Sequence, residues 1–143
     1  MGIYNVSKHA VVSLTETLYQ DLQLVSDQVS ASVLCPYFVA TGISQSERNR
    51  PSALAADKPT ASQLIGQAQT DKAVGSGKVS ATDVAQKVFD AVSTGQFYIY
   101  SHPHALGNVQ SRMEAIVQGI NPPDPFAARP DVGEKLRTAL RAC

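Results

Sequence analysis

Val29-Ser-Ala-Ser-Val-Leu-Cys35 alternates polar and apolar residues at first and then becomes continuously apolar. It lies between Asp27-Gln28 and Pro36. It reads as a mostly buried strand of a parallel sheet, because strands covered on both faces carry near-continuous apolar runs. Upstream of it the pattern is helical. Val11, Leu14, Leu18, Leu22 and Val25 recur at spacings of three and four, and no proline or glycine interrupts the stretch from about Asn5 to Ser26. A second stripe of Val12, Thr15 and Tyr19 lies beside the first. Two partly apolar faces predict one contact with a core and another with a partner.

Downstream, Gly42 to about Lys78 is polar and poorly periodic, with Pro51, Pro59 and Gly75-Ser-Gly77 inside it. It reads as a long excursion with one helix from Thr60 to Lys72, and such loops are often functional lids. Ser80-Ala-Thr-Asp83 is a capping sequence that opens a helix whose apolar stripe is Val84, Ala85, Val88, Phe89 and Val92, with Gly95 as its stop. Phe97-Tyr-Ile-Tyr100 is a short β-prone run. A weaker helix spans about Ala105 to Gln118, with Val109, Met113, Ile116 and Val117 on one side. Asn121-Pro-Pro-Asp-Pro125 ends regular structure, and the remaining tail to Cys143 has room for one short basic helix.

The alternation of helix and strand predicts an α/β fold with a parallel sheet. Only two strands are visible, and a two-stranded sheet cannot cover both faces of a run as apolar as Val29 to Cys35. This tension is the first sign that part of the sheet is missing. Two regions are expected: residues 1–120 as sheet and helices, and 121–143 as a proline-rich tail.

Twelve basic and twelve acidic side chains cancel to zero formal charge, which gives no electrostatic reason for nucleic acid or an anionic membrane as partner. Arg48 and Arg50, like Arg137 and Arg141, read as solvated surface charge. Two cysteines are too few for a disulfide framework. Cys35 lies in an apolar run as a small hydrophobe, and Cys143 is the last residue. Both are expected to be reduced. No apolar run reaches the ~20 residues of a membrane span, and no signal-peptide pattern opens the chain, so a cytoplasmic location is expected.

Tyr4 and Lys8 stand four apart at the start of the first helix and so share a face. An ammonium beside a phenol favours phenolate and suits the pair to acid–base catalysis. The spacing alone is a weak signal. Its context is specific: Tyr4-Asn-Val-Ser-Lys8-His-Ala-Val-Val-Ser-Leu-Thr-Glu-Thr-Leu18 closely resembles the active-site helix of short-chain dehydrogenases/reductases. Val33-Leu-Cys-Pro-Tyr-Phe-Val-Ala-Thr41 resembles that family's next strand and cofactor loop, usually Pro-Gly-x-Val-x-Thr. Phe97-Tyr-Ile-Tyr-Ser-His-Pro103 and Arg112-Met-Glu-Ala-Ile116 resemble a closing strand and helix. The resemblance is strong over residues 1 to 45, moderate to about residue 120 and absent beyond.

The resemblance implies the C-terminal part of a Rossmann-like, doubly wound parallel sheet, its last two strands with surrounding helices, and an oxidoreductase that moves hydride between NAD or NADP and an alcohol or carbonyl substrate. Tyr4 would be the general acid/base. Lys8 would lower the tyrosine pKa and hydrogen-bond the nicotinamide ribose. The Pro36-Tyr37 turn would carry the backbone of Val39 to the carboxamide, and Thr41 would add a hydroxyl contact. Tyr37 replaces the usual glycine, and either lines the substrate pocket or narrows the cofactor site. Arg48-Asn-Arg50-Pro51 falls where the family places its variable substrate loop.

Other candidates have simpler readings. His102-Pro-His104 lacks a third or fourth ligand at suitable spacing, so no metal site is expected. His9 reads as a packing or surface residue. Gly75-Ser-Gly77 is preceded by no strand and followed by no Gly-Lys-Ser/Thr, so it is a hinge or a flexible loop and not a phosphate loop.

Complete family members begin with a strand, a glycine-rich turn and a helix that hold the dinucleotide, and they place a serine upstream of the tyrosine. None of these is seen here, and Met1-Gly-Ile-Tyr4 resembles an internal lead-in to the tyrosine. The expectation is a C-terminal half, inactive alone, whose uncovered apolar faces associate. Dimerisation through the helix containing residues 5–26 is expected. A non-catalytic interaction module is the alternative.

Overall fold

The computed structural model describes residues 2–54 and 58–141; Met1 and Cys143, on which two expectations rest, lie outside them. The order is helix α1 (Gly2–Val25), strand β1 (Val33–Cys35), helices α2 (Ala61–Gly75) and α3 (Ala81–Ser93), strand β2 (Tyr98–Tyr100), and helices α4 (Gly107–Gln118) and α5 (Pro130–Arg141). Short 3₁₀ turns occupy Gly42–Asn49, Ser52–Leu54 and Pro103–Ala105. β1 and β2 pair in parallel, Val33 with Tyr98, Leu34 with Ile99 and Cys35 with Tyr100. The connection between them carries α2 and α3, the crossover that parallel neighbours require.

Helices lie on both faces of this ribbon. On one face, Tyr98 donates its hydroxyl to the Glu16 carboxylate of α1 at 2.6 Å, and Tyr19 packs edge-on against Phe97 at 4.9 Å. On the other, Ile99 and Ala91 of α3 are buried against each other's elements around a shallow cleft. Alternation along a strand explains the division, since Tyr98 and Ile99 must point to opposite faces. This is the α/β, Rossmann-like arrangement expected, in partial form.

Burial departs from the sequence reading in three places. β1 is not mostly buried: Val33 is only 4% exposed, but Leu34 is 38% exposed. A sheet of two strands has no further neighbours to cover it. In α3 the buried residues are Val84 and Ala91, while Phe89 and Val92 of the expected stripe are exposed. In α4 the expected stripe of Val109, Met113, Ile116 and Val117 faces outward, and Ala115 makes the buried contact. α1 buries no residue fully. Its second stripe turns toward the sheet, leaving Val11, Leu14 and Leu18 exposed.

The long excursion is more ordered than its composition suggests. α2 runs to Gly75 because Thr60 and Gln63 form a reciprocal capping box, with the Gln63 N–H donating to the Thr60 hydroxyl and the Thr60 N–H to the Gln63 side chain. Gly75-Ser-Gly77 forms the end of α2 and the turn that follows it. Ser76 closes α2 on the Lys72 and Ala73 carbonyls. Gly77 then lies so close to the chain after β1 that a Cβ would fall 2.6 Å from the Phe38 carbonyl oxygen. The tail forms α5, which meets α2 across a cleft lined by Ile65, Gly66, Phe126, Gly133 and Leu136. A Cβ at Gly133 would reach within 2.9 Å of Phe126.

α3 begins as its capping sequence predicts. The Asp83 N–H donates to the Ser80 hydroxyl, and Asp83 accepts from the Ser80 N–H and hydroxyl. Those bonds, the side-chain one first, hold the Asp83 carboxyl below the usual carboxylate range. Replacing Ser80 with alanine should cost about 1 kcal/mol in urea unfolding at neutral pH. Because the folded carboxyl is depressed, its contribution is present above the ordinary value of about 3.9 and is lost as pH falls through the folded value. The difference between wild type and Ser80→Ala should therefore shrink in acid. A difference that grows below pH 4 would contradict the assignment.

Candidate active site

α1 runs opposite to the strands. Its later residue Tyr19 meets Phe97 and its earlier residue Glu16 meets Tyr98, so moving back along the helix means moving forward along β2. From Glu16 to Lys8 the helix rises about 12 Å, and from Tyr98 to His102 the chain advances about 13 Å. The Tyr4 end of α1 therefore lies toward the C-terminal edge of the sheet. That edge is where open α/β sheets bind ligands. The turn after β1 and the Ser101-His102 segment after β2 leave from the same edge.

Tyr4 and Lys8 sit on the exposed first turns of α1, with Tyr4 47% exposed and the Lys8 Nζ 5.2 Å from the centre of its ring. Intervening Ser7 donates to the Tyr4 carbonyl at 2.7 Å. His9 Nδ1 lies 3.0 Å from the Asn5 carbonyl, a local helix contact. No hydrogen bond or ring contact joins Tyr4 or Lys8 to Pro36–Thr41 among the described residues.

The turn itself is held by several contacts. The Tyr37 N–H donates to the Ser101 hydroxyl at 2.8 Å. The Tyr37 ring packs against Phe38 at 4.5 Å and edge-on to His102 at 5.7 Å. Gly77 also packs closely on the Phe38 carbonyl and the Ala40 nitrogen. Pro36 is exposed and starts the turn by ending the strand. Val39 is half-buried, and neither its N–H nor its C=O makes a hydrogen bond among the described residues. Thr41 is exposed and precedes the first 3₁₀ turn without capping it, so its hydroxyl is also uncommitted there.

These open groups provide a test of fit. A nicotinamide carboxamide presents both a donor and an acceptor, and the Val39 backbone offers the matching acceptor and donor. The donor set therefore suits the nicotinamide end of a dinucleotide.

Remaining candidates fall into local roles. Arg48 donates to the carbonyls of Gly42 and Gln45 at 2.8 and 2.7 Å, and Arg50 pairs with Glu47. Both guanidiniums thus brace the 3₁₀ turn. Burial, and then the charge of Glu16, push the Cys35 thiol up, which disfavours the thiolate. His102 and His104 stack edge-on at 5.6 Å. Among the described residues no group of three or more His, Cys, Asp or Glu could hold a metal ion, and no helix is long and apolar enough to cross a membrane.

No protein-family model matches the chain. A "CLA biosynthesis dehydrogenase/reductase" of Lactiplantibacillus plantarum is 32% identical over 123 residues, which cover 82% of this chain and 42% of that protein. The crystal structure of a short chain dehydrogenase/reductase from Burkholderia phymatum in complex with NAD is 53% identical, with a TM-score of 0.85 over 89% of this chain and 46% of that one. The chain belongs to the short-chain dehydrogenase/reductase family. It spans less than half the length of these two relatives. The two-stranded ribbon with its helices is part of the family's Rossmann-like sheet.

Sequence reasoning singled out Tyr4, Lys8 and the turn as candidates, but passed over the contacts that Ser101 and Gly77 make with the turn. The signal for Ser101 was weak, a lone serine after a β-prone run. Gly77 carried the usual signal of a close backbone approach, and its neighbour Gly75 disguised it as flexibility.

Proposed function

We propose that this chain carries the acid–base and nicotinamide-binding part of an NAD(P)-dependent alcohol or carbonyl oxidoreductase. The observation that carries the reading is the 53% identity, over 89% of the chain, to a family member in complex with NAD. Bound nicotinamide supplies or accepts the hydride. The Tyr4 hydroxyl gives a proton to the carbonyl oxygen in reduction and takes one from the alcohol in oxidation. Lys8, one helical turn away, places a positive charge that stabilises the phenolate. Lys8 and Tyr4 hold the ribose side of the cofactor, and the Val39 backbone and Thr41 hydroxyl hold the carboxamide side on the Pro36-Tyr37 turn. Fixing both reacting partners at near contact is the main service of these residues.

The test is complementation. The chain alone should oxidise no alcohol with NAD or NADP. Joined to a glycine-rich dinucleotide-binding unit of the same family, it should turn over. Turnover by the chain alone would remove the incompleteness from the reading, and failure of every complemented form would remove the catalytic role.

The exposed faces favour a second reading, an interaction module that associates with itself or with a full-length family subunit. Leu14 is 70% exposed, and Val11, Leu18, Ile116 and Val117 are also open to solvent. Light scattering at high micromolar concentration should give a mass above the 15.2 kDa of the single chain. A folded monomer at that concentration would remove association through α1.

A further inference from the structure

We infer that Ser101 and His102 form a positioning dyad for the nicotinamide turn, a role that rests on the function proposed above. Both are buried, Ser101 to 2% exposure and His102 to 8%, at the point where the chain leaves β2. They are the buried polar residues among those described, and no buried side-chain polar atom there is left without a hydrogen-bond partner. The Ser101 hydroxyl oxygen accepts from the Tyr37 N–H at 2.8 Å, and His102 Nδ1 lies 2.8 Å from the same oxygen. A hydroxyl gives one hydrogen and accepts on two lone pairs, so Ser101 serves both contacts whichever of the two atoms carries the hydrogen between them.

Each member grips Tyr37 differently. Ser101 holds its backbone, and the His102 ring meets its side chain edge-on at 5.7 Å. His104 backs His102 at 5.6 Å from another direction. The dyad thus accommodates the residue that departs from the family's glycine. Tyr37 does not hang free beside the turn: its ring is seated on Phe38 and His102.

The register makes this grip matter for binding. Tyr37 lies two residues before Val39, whose open N–H and C=O are the groups assigned to the carboxamide. A trans peptide unit is rigid, so the fixed Tyr37 amide and the Gly77 contact at Phe38 and Ala40 leave the Val39 peptide units little freedom. Removing the Ser101 hydroxyl would free one end of this short span. It would also strand the Tyr37 N–H without its acceptor.

Amide exchange and ligand titration on the ¹⁵N-labelled chain test the role without relying on turnover. Ser101→Ala should raise Tyr37 amide exchange roughly tenfold, as expected for losing one well-formed bond. It should weaken nicotinamide mononucleotide binding several-fold, read from the Val39 and Thr41 amide shifts. His102→Asn keeps a hydrogen-bonding group near the Nδ1 position, able to donate or accept, and should leave Tyr37 exchange within about twofold of wild type. Unchanged Tyr37 exchange in Ser101→Ala would overturn the dyad. Raised exchange with unchanged affinity would also overturn it, leaving Ser101 a structural residue. A wild-type chain with no shifts at Val39 or Thr41 would overturn the nicotinamide reading itself and the positioning role with it, even if Tyr37 exchange responds. Exchange and binding therefore separate the two failures.

Discussion

Tyr4→Phe should lower turnover by about 10²- to 10⁴-fold in an enzyme that unites this chain with a glycine-rich dinucleotide-binding unit. The substitution removes one oxygen from a side chain that is 47% exposed and has no hydrogen-bond partner for its hydroxyl among the described residues. No buried group loses a partner, so stability should stay within about 0.5 kcal/mol of wild type. The ring that Lys8 approaches at 5.2 Å is retained as well. Cofactor affinity should therefore change little, because Lys8, Val39 and Thr41 remain in place. The diagnostic pattern is a fall in kcat and kcat/KM together, with cofactor binding preserved. That pattern marks an interaction made in the transition state and absent from the ground state. Lys8→Met should differ by weakening cofactor binding and turnover together. If Tyr4→Phe kept wild-type turnover, another group would have to move the proton, and Tyr4 would lose its role.

The reading of Tyr4 was available from sequence because its signal is local. Four residues along a helix fix two side chains on one face whatever surrounds them, and the residues through Leu18 gave that pair its family context. The same holds for the start of α3, where Ser80 and Asp83 satisfy each other within one turn. Burial was less legible because it depends on which element arrives opposite. Val109, Met113, Ile116 and Val117 form a good apolar stripe on α4, yet the sheet gives them nothing to cover. Ala115, a small residue on the other side, makes the close approach instead. On α1 the stronger stripe stayed outside and the weaker one, with Glu16 and Tyr19, met β2. Ser101 and Gly77 act on a turn 64 and roughly 40 residues away in sequence, a distance that no periodicity spans. Their roles exist only once β1 and β2 are paired.

That pairing is where the chain is most vulnerable. Ile99 is 3% exposed, opposite Leu34 in the register and against α3, and it is one of six buried hydrophobic residues among those described. Ile99→Ala removes three carbons from the best-packed side chain in the ribbon and leaves a cavity that two short strands and one helix cannot close. Losses of about 2–5 kcal/mol are usual for such truncations. A domain has only about 5–15 kcal/mol to lose, and one with so few buried residues stands at the lower end. The variant should be largely unfolded at 25 °C, or should unfold in urea at a much lower midpoint. Leu34→Ala is the matched comparison, since Leu34 pairs with Ile99 but is 38% exposed. It should cost about 1 kcal/mol. Both should be measured at one protein concentration, because association through the exposed faces would stabilise the folded chain by mass action. Equal midpoints for the two variants would show that the ribbon and α3 do not form the core. The platform that carries the Tyr37 turn would then have to be held by contacts from outside these residues, and the turn should lose its Tyr37 amide protection whenever those contacts are missing.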